Sequence, residues 1–318
     1  MRIVFMGTPE FAASLLETLL SSAHEVAGVV TQPDRPSGRH HVPVEPPAKQ
    51  LAIARGLPVL QSDDVNRRAF VELLAQWAPE AIVVAAFGQK LGRRLLALPP
   101  HGCINVHASL LPRHRGAAPV AHAILAGDEE TGVTIMRMSE RIDAGDILAQ
   151  QAVSINPTDT TGDVTQHLAD MGGGALVSVL TALEAREAYP LPQDHRLATR
   201  APAFDKKDGA IPWDRPAAYL ARFVRAMNPW PGAFTFWLPP GRPPLRIIIH
   251  AAYALEGTAA HPGRVAAAEG EFLAVETGEG LLQPFSLQPA GGRPMSAAEF
   301  LRGYRLAPGD VLAPFASQ

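Results

Sequence analysis
The sequence predicts an α/β fold: a Rossmann-like, mostly parallel open sheet followed by a small β-barrel domain. Three observations predict it. The chain opens as strand, turn, helix, strand. Ala81-Ile82-Val83-Val84-Ala85-Ala86 is a continuous apolar run, the mark of a parallel strand covered on both faces. Beyond residue 232 the pattern changes to short strands separated by Gly and Pro turns. A length of 318 residues exceeds the usual size of one domain, so two are expected.

Arg2-Ile3-Val4-Phe5-Met6 reads as a buried strand. Gly7-Thr8-Pro9-Glu10 turns into a helix, with Thr8 as N-cap, Pro9 at the first helical position and Glu10 favoured by the helix dipole. Phe11, Leu15, Leu16, Leu19 and Leu20 follow at helical spacing, and residues 25–30 make a second strand. This opening resembles a nucleotide-binding fold, but Gly-x-Gly-x-x-Gly is absent, which disfavours a dinucleotide. Residues 31–47 form a long polar loop, and loops of that length inside a domain are often functional. Residues 47–55 look helical, 57–60 form a short strand and 65–77 are amphipathic. The apolar run at 81–86 ends at Phe87-Gly88-Gln89-Lys90-Leu91, where open α/β sheets bind ligands.

The next strand carries the chemistry. Cys103-Ile104-Asn105-Val106-His107 is a strand by its β-branched residues, and alternation puts Asn105 and His107 on one face. An Asn amide can donate to a developing oxyanion, and an imidazole moves protons near neutral pH. A plainer account also fits: Asn and His at strand ends often satisfy local backbone groups. Ser109-Leu110-Leu111-Pro112 then leaves the strand as a stiff apolar loop, and Arg113-His114-Arg115-Gly116 follows. A third group comes in the turn Arg141-Ile142-Asp143-Ala144-Gly145-Asp146, from which Asp143 could reach the imidazole.

Residues 119–125 form a short helix, 131–138 a strand and 147–153 its hairpin partner. Residues 161–187 are helical by composition, with Gly172-Gly173-Gly174 as either an interruption or a place of close approach. Pro190, Pro192 and Pro202 among polar residues make 188–204 a linker. Strands are expected at 234–238, 245–249, 264–267, 272–275 and 281–287, with a closing helix at 297–304. Trp230, in Asn228-Pro229-Trp230-Pro231, is expected to pack in the core.

Composition narrows the class. With 47% hydrophobic and 19% charged residues the chain can bury a core and is not disordered. No apolar run is long enough to span a bilayer, and no signal peptide opens the chain, so a cytoplasmic protein is expected. A lone Cys103 forms no internal disulfide and reads as a strand hydrophobe; no Cys/His spacing matches a zinc site. The net charge of −3 does not announce a nucleic-acid binder. Residues 205–318 carry 11 Lys and Arg against 10 Asp and Glu, and the remainder 17 against 21, so the C-terminal part is only relatively basic.

Taken as one string, Asn105-Val106-His107-Ala108-Ser109-Leu110-Leu111-Pro112 with the later Asp143-Ala144-Gly145 closely resembles the folate-dependent formyltransferases. Asp205-Lys206-Lys207-Asp208-Gly209-Ala210-Ile211-Pro212-Trp213 and Asn228-Pro229-Trp230-Pro231 extend the resemblance into the branch that acts on methionyl-tRNA. It implies a formyltransferase catalytic domain at 1–187, a linker at 188–204 and an OB-like tRNA-binding domain at 205–318. It implies transfer of a formyl group from 10-formyltetrahydrofolate, a co-substrate, to the α-amino group of methionine on initiator tRNA, with no metal. Asn105, His107 and Asp143 would be catalytic. Phe87, Gly88, Gln89, Leu91, Ser109, Leu110, Leu111 and Pro112 would line the folate pocket. Arg35 and Arg39, in the loop matching the family's Asp-Arg-Pro-x-Gly-Arg, would meet the tRNA acceptor stem, with Lys206 and Lys207 on phosphate. His40 and His41 depart from the lysines often found next. Nothing in the sequence demands more than a monomer. Rival readings are a sugar-nucleotide N-formyltransferase with the same donor, a formyltetrahydrofolate hydrolase, a Ser–His hydrolase lacking the Gly-x-Ser-x-Gly elbow, and a non-catalytic RNA- or folate-binding module.

Overall fold
The computed structural model describes residues 1–37, 42–239 and 241–315. Strand β1 (Arg2–Gly7), helix α1 (Glu10–Leu20) and strand β2 (Glu25–Thr31) form the expected opening. The polar loop after β2 contains structure of its own: β3 (Arg35–Ser37) and β4 (Val42–Val44) pair antiparallel, with Pro36 opposite Pro43. Next come α2 (Pro47–Ala54), β5 (Val59–Gln61), α3 (Arg68–Ala75), β6 (Ala81–Ala85), α4 (Arg93–Leu96), β7 (Cys103–His107) and β8 (Arg115–Gly116). They are followed by α5 (Pro119–Ala126), β9 (Glu130–Arg137), β10 (Ile147–Ser154), α6 (Thr161–Glu184) and β11 (Arg200–Ala201).

Seven strands form one sheet in the order β10-β9-β7-β6-β1-β2-β5. The strands from β7 to β5 are parallel, and β9 and β10 add an antiparallel edge. The first β-strands leave β1 in one direction and β6 and β7 return on its other side. The carboxyl ends of β1, β6 and β7 therefore lie together at a change of winding, the usual ligand position in such sheets. Val4, Met6, Ile82, Val84 and Cys103 pack on one face with Leu74 of α3 and Leu95 of α4. Alternation puts Asn105 and His107 on that same face, beyond Cys103.

One expectation about local structure changes, and one open alternative is decided. Thr8 is not the N-cap of α1; Pro9 takes that place, and the Thr8 hydroxyl donates to the Phe87 carbonyl at 3.2 Å. The turn after β1 is thus fastened to the turn after β6. The glycine triplet does not interrupt α6, which runs 24 residues unbroken. A Cβ on Gly173 would lie 2.6 Å from Thr18 Oγ1, and one on Gly172 would lie 3.2 Å from Val133 Cγ2. The triplet lets α1 and the sheet come close to α6, the alternative use of such a site.

The chain divides into two units, one of residues 1–120, 129–154 and 164–202, the other of 121–128, 155–163 and 203 onward. In the second, α7 (Ala217–Ala226) precedes β12 (Ala233–Trp237), β13 (Leu245–Leu255), β14 (Val265–Glu269), β15 (Phe272–Glu276), β16 (Leu281–Pro289), β17 (Met295–Ser296), α8 (Ala297–Tyr304) and β18 (Leu312–Ala313). These strands make a curled antiparallel half-barrel in the order β14-β15-β16-β13-β12-β18, with β17 beside β16. Ser296 and Glu299 cap α8 reciprocally, each side chain bonding the other's backbone N–H. Trp213 is buried and its indole donates to Thr235 Oγ1 at 3.0 Å. Trp230 corrects the sequence expectation: it is 54% exposed and not a core residue. The prolines on either side of it take part in no ladder, and its ring stands on a turn rather than on the sheet's inner face.

Candidate active site
Asn105 and His107 are polar side chains in a strand whose five residues are all buried. Asn105 is opposite Val84 on β6 and Met136 on β9, and His107 is opposite Thr134. Among the described residues the Asn105 amide has no hydrogen-bond partner. The residue is 8% exposed and its amide is not among the shut-off unpaired atoms, which among the described residues are Arg115 Nε and Thr131 Oγ1, so the amide is open to a ligand. His107 has one hydrogen bond and one acidic neighbour. Nε2 lies 3.0 Å from the His114 carbonyl, which can only accept, so Nε2 carries the proton. Nδ1 faces Asp143 Oδ2 at 3.8 Å. Asp143 sits at φ +49°, and its Oδ2 accepts the Gly116 N–H at 2.9 Å.

The loop after β7 is fastened from β9 and β10. Thr134 Oγ1 donates to the Ser109 carbonyl at 2.6 Å and accepts the Leu111 N–H at 3.1 Å. Gln150 Nε2 donates to the Leu111 carbonyl at 2.8 Å. Ser109 is fully buried with its hydroxyl on the Arg113 carbonyl, an arrangement without a nucleophile. Leu111 is buried, while Leu110 and Pro112 are partly open. Cys103 is no nucleophile either: burial pushes its thiol up to about 12.

The other expected folate-lining residues divide. Phe87 and Leu91 are buried in the core cluster. Gln89 is committed at both ends, accepting the Val65 N–H at 3.0 Å and donating to the Ser62 carbonyl at 2.7 Å. Gly88 is exposed at φ +86°, so what this turn offers a ligand is chiefly backbone. Arg35 is exposed on β3, beside Gln32. Arg39 lies outside the described residues. Lys206 and Lys207 are exposed on a 3-10 turn at Lys206–Gly209, with Lys207 3.9 Å from Asp205. Among the described residues no group of three His, Cys, Asp or Glu could hold a metal ion, and no helix is long and apolar enough to cross a membrane.

Sequence reasoning missed several residues that build the site. Thr134 was legible in principle, as a hydroxyl in an apolar strand at zero exposure. Gln193 and Thr199 were not, because the Pro-bearing stretch around them reads as a linker. Gln193 is buried; its amide donates to the Asp143 carbonyl at 3.0 Å and the Gly145 carbonyl at 2.7 Å. Arg115 donates to Gln193 Oε1 at 2.5 Å and to His195 Nδ1 at 2.9 Å. Burial pushes the Arg115 guanidinium below its usual value and the Asp143 charge opposes that shift.

Comparison with known proteins identifies the family. Residues 1–180 match the family described as formyl transferase, and residues 204–305 match its C-terminal domain. The methionyl-tRNA formyltransferase of Moorella thermoacetica is 45% identical over 98% of this chain and 99% of its own length. HypX from Aquifex aeolicus, solved with tetrahydrofolic acid, shares the fold at TM-score 0.63 and 18% identity, over 95% of this chain and 47% of that one. An N-formyltransferase from Helicobacter canadensis, solved with folinic acid and dTDP-3-aminofucose, superposes at TM-score 0.61 and 14% identity, over 89% of this chain and 98% of that one. With both domains matched in order and a full-length relative at this identity, the chain belongs to the formyl transferase family, alongside the methionyl-tRNA formyltransferases.

Proposed function
We infer that the protein transfers the formyl group of 10-formyltetrahydrofolate to the α-amino group of methionine esterified to initiator tRNA. The observation that carries the chemistry is the unpaired Asn105 amide, buried two positions from an imidazole fixed between the His114 carbonyl and Asp143. Full-length likeness to a methionyl-tRNA formyltransferase carries the acceptor. The sugar-nucleotide reading is not favoured, since the sugar N-formyltransferase likeness is at 14% identity.

The amine nitrogen attacks the formyl carbon, and the carbonyl oxygen gains negative charge. The Asn105 amide donates to that oxygen, a contribution typically worth about 3 kcal/mol of barrier. Collapse breaks the bond from the formyl carbon to N10 of the folate. The proton lost by the amine passes to N10, and His107 with Asp143 relays it. The products are formylmethionyl-tRNA and tetrahydrofolate. The donor's pterin would meet the backbone at 86–88 and the fastened loop at 109–112. Arg35, Arg39, Lys206 and Lys207 would neutralise tRNA phosphates, so affinity would fall as salt rises. We assign the catalytic residues to 1–187 and tRNA contact to 205–318, joined by Arg35 and Arg39, of a cytoplasmic monomer, in keeping with the two matched domains.

The test is formyl transfer to methionylated initiator tRNA, methionylated elongator tRNA and an amino-sugar nucleotide in parallel, with wild type and Asn105→Ala. Transfer to initiator tRNA alone, lost in the variant, is the expected result. Transfer to the sugar alone would sink the acceptor. No transfer with folate still bound would sink the enzyme.

A further inference from the structure
Residues 193–201 lie beyond the matched catalytic domain, which ends at 180, and before the C-terminal one, which begins at 204. Yet they run against the catalytic turn. β11 pairs in parallel with β8, with Arg200 opposite Arg115 and Ala201 opposite Gly116. The Thr199 hydroxyl accepts the His114 N–H at 2.8 Å, and the Thr199 carbonyl accepts the Arg115 N–H at 2.9 Å. The Ala201 carbonyl accepts the Ala118 N–H at 3.1 Å. The approach is so close that a Cβ on Gly116, at φ +137°, would lie 2.2 Å from the Ala201 oxygen.

The segment held in this way makes two contacts that place the catalytic pair. His114 supplies the carbonyl on His107 Nε2, and Gly116 supplies the N–H on Asp143 Oδ2. Gln193 ties the two sides together. Its amide nitrogen holds the turn bearing Asp143 through the carbonyls of 143 and 145, and its amide oxygen holds Arg115, between His114 and Gly116. One side chain thus fixes Asp143 relative to the strand that orients His107. A buried Gln can do this because an amide donates twice and accepts once in a plane. Neither a carboxylate nor an apolar isostere can.

We propose that the 193–201 segment completes the catalytic centre, with Gln193 as the positioning residue that sets the distance between Asp143 and His107. The inference rests on the catalytic reading of those two residues. Sites of this kind need their groups held to about half an ångström. Loss of the Gln193 amide therefore acts on turnover and not on donor binding, because Gln193 touches the turn and not the pocket loop.

Steady-state formyl transfer by the full chain tests this with Gln193→Ala, Asp143→Asn and the double variant, with Leu197→Ala on the exposed side of the same segment as control. Gln193→Ala is expected to lower kcat roughly 10- to 100-fold, with KM for the donor within about twofold. Added to Asp143→Asn, it is expected to lower kcat by less than about twofold more, since both changes disable one unit. Single effects that multiply in the double variant, or a kcat in Gln193→Ala equal to wild type, would overturn the inference and leave the catalytic reading standing. A wild-type kcat in Asp143→Asn would overturn both. Should Gln193→Ala not fold, Thr199→Val, which removes the acceptor from the His114 N–H, is read against His107→Gln by the same criterion.

Discussion

Asn105 and Thr235 are both buried polar side chains on interior strands of seven-stranded sheets, and they have opposite fates. The Thr235 hydroxyl accepts from the Trp213 indole and donates to the Ala313 carbonyl, each at 3.0 Å. It joins a turn, a strand and the last strand of the half-barrel, and nothing is left over. The Asn105 amide has no partner among the described residues, although its neighbours on the same face of β7 are all committed. Burial alone does not separate structure from chemistry here. The state of the polar group does more: Thr235 is paired by its own chain and holds the fold, whereas Asn105, whose amide is not among the shut-off unpaired atoms (Arg115 Nε and Thr131 Oγ1 among the described residues), keeps its amide free for a ligand under the proposed function.

The sharpest way to break this contrast is Asn105→Ala. Turnover is expected to fall about 10²- to 10³-fold, while Tm holds or rises, because the amide removed had no bond to lose. A drop in Tm with kcat intact would reverse the assignment. Thr235→Val should do the opposite, leaving kcat alone and destabilising by about 1–3 kcal/mol, because the Trp213 N–H stays buried without an acceptor; urea unfolding followed by Trp fluorescence measures it. Gly173→Ala probes packing without any polar group. Its Cβ would collide with Thr18, and a cost of about 1–3 kcal/mol is expected from overpacking, read as a shift in the urea midpoint. The smallest effect concerns Cys103. Its thiol is held protonated, so iodoacetamide should label it only after unfolding. The raised value also gives a sign: this group's contribution to stability is full below the unfolded value of about 8.5 and is lost as pH climbs toward about 12.

Much of the fold was legible because hydrophobic period and turn chemistry are local. The residues 297–304 read as a closing helix are helix α8, and the apolar run at 81–86 is an inner parallel strand. Asn105, His107 and Asp143 were legible as one motif, and the structure brings His107 and Asp143 face to face. What the sequence hid was long-range wiring. Trp230 looked like core because its type is apolar, and only the path of the turn exposes it. Gln89 looked like a pocket residue, but Ser62 and Val65, far upstream, take both ends of its amide. Gln193 looked like linker because prolines flank it, while its partners lie some fifty and eighty positions earlier.

That distance has a consequence for how the protein comes into being. A ribosome that has made residues 1–180 has made every side chain assigned to the chemistry, but none of the bonds from 193–201 that hold His114, Arg115 and the turn at 143. Domains fold as they emerge, amino-terminal first. The sheet of the first unit can therefore gather its core while the edge that bears His107 and Asp143 stays loose. On the inference above, the edge tightens only when the last stretch of this unit leaves the exit tunnel, so assembly of the site is timed by the chain's passage beyond Ala201 rather than by synthesis of the motif itself, and transfer to tRNA waits for 205–318.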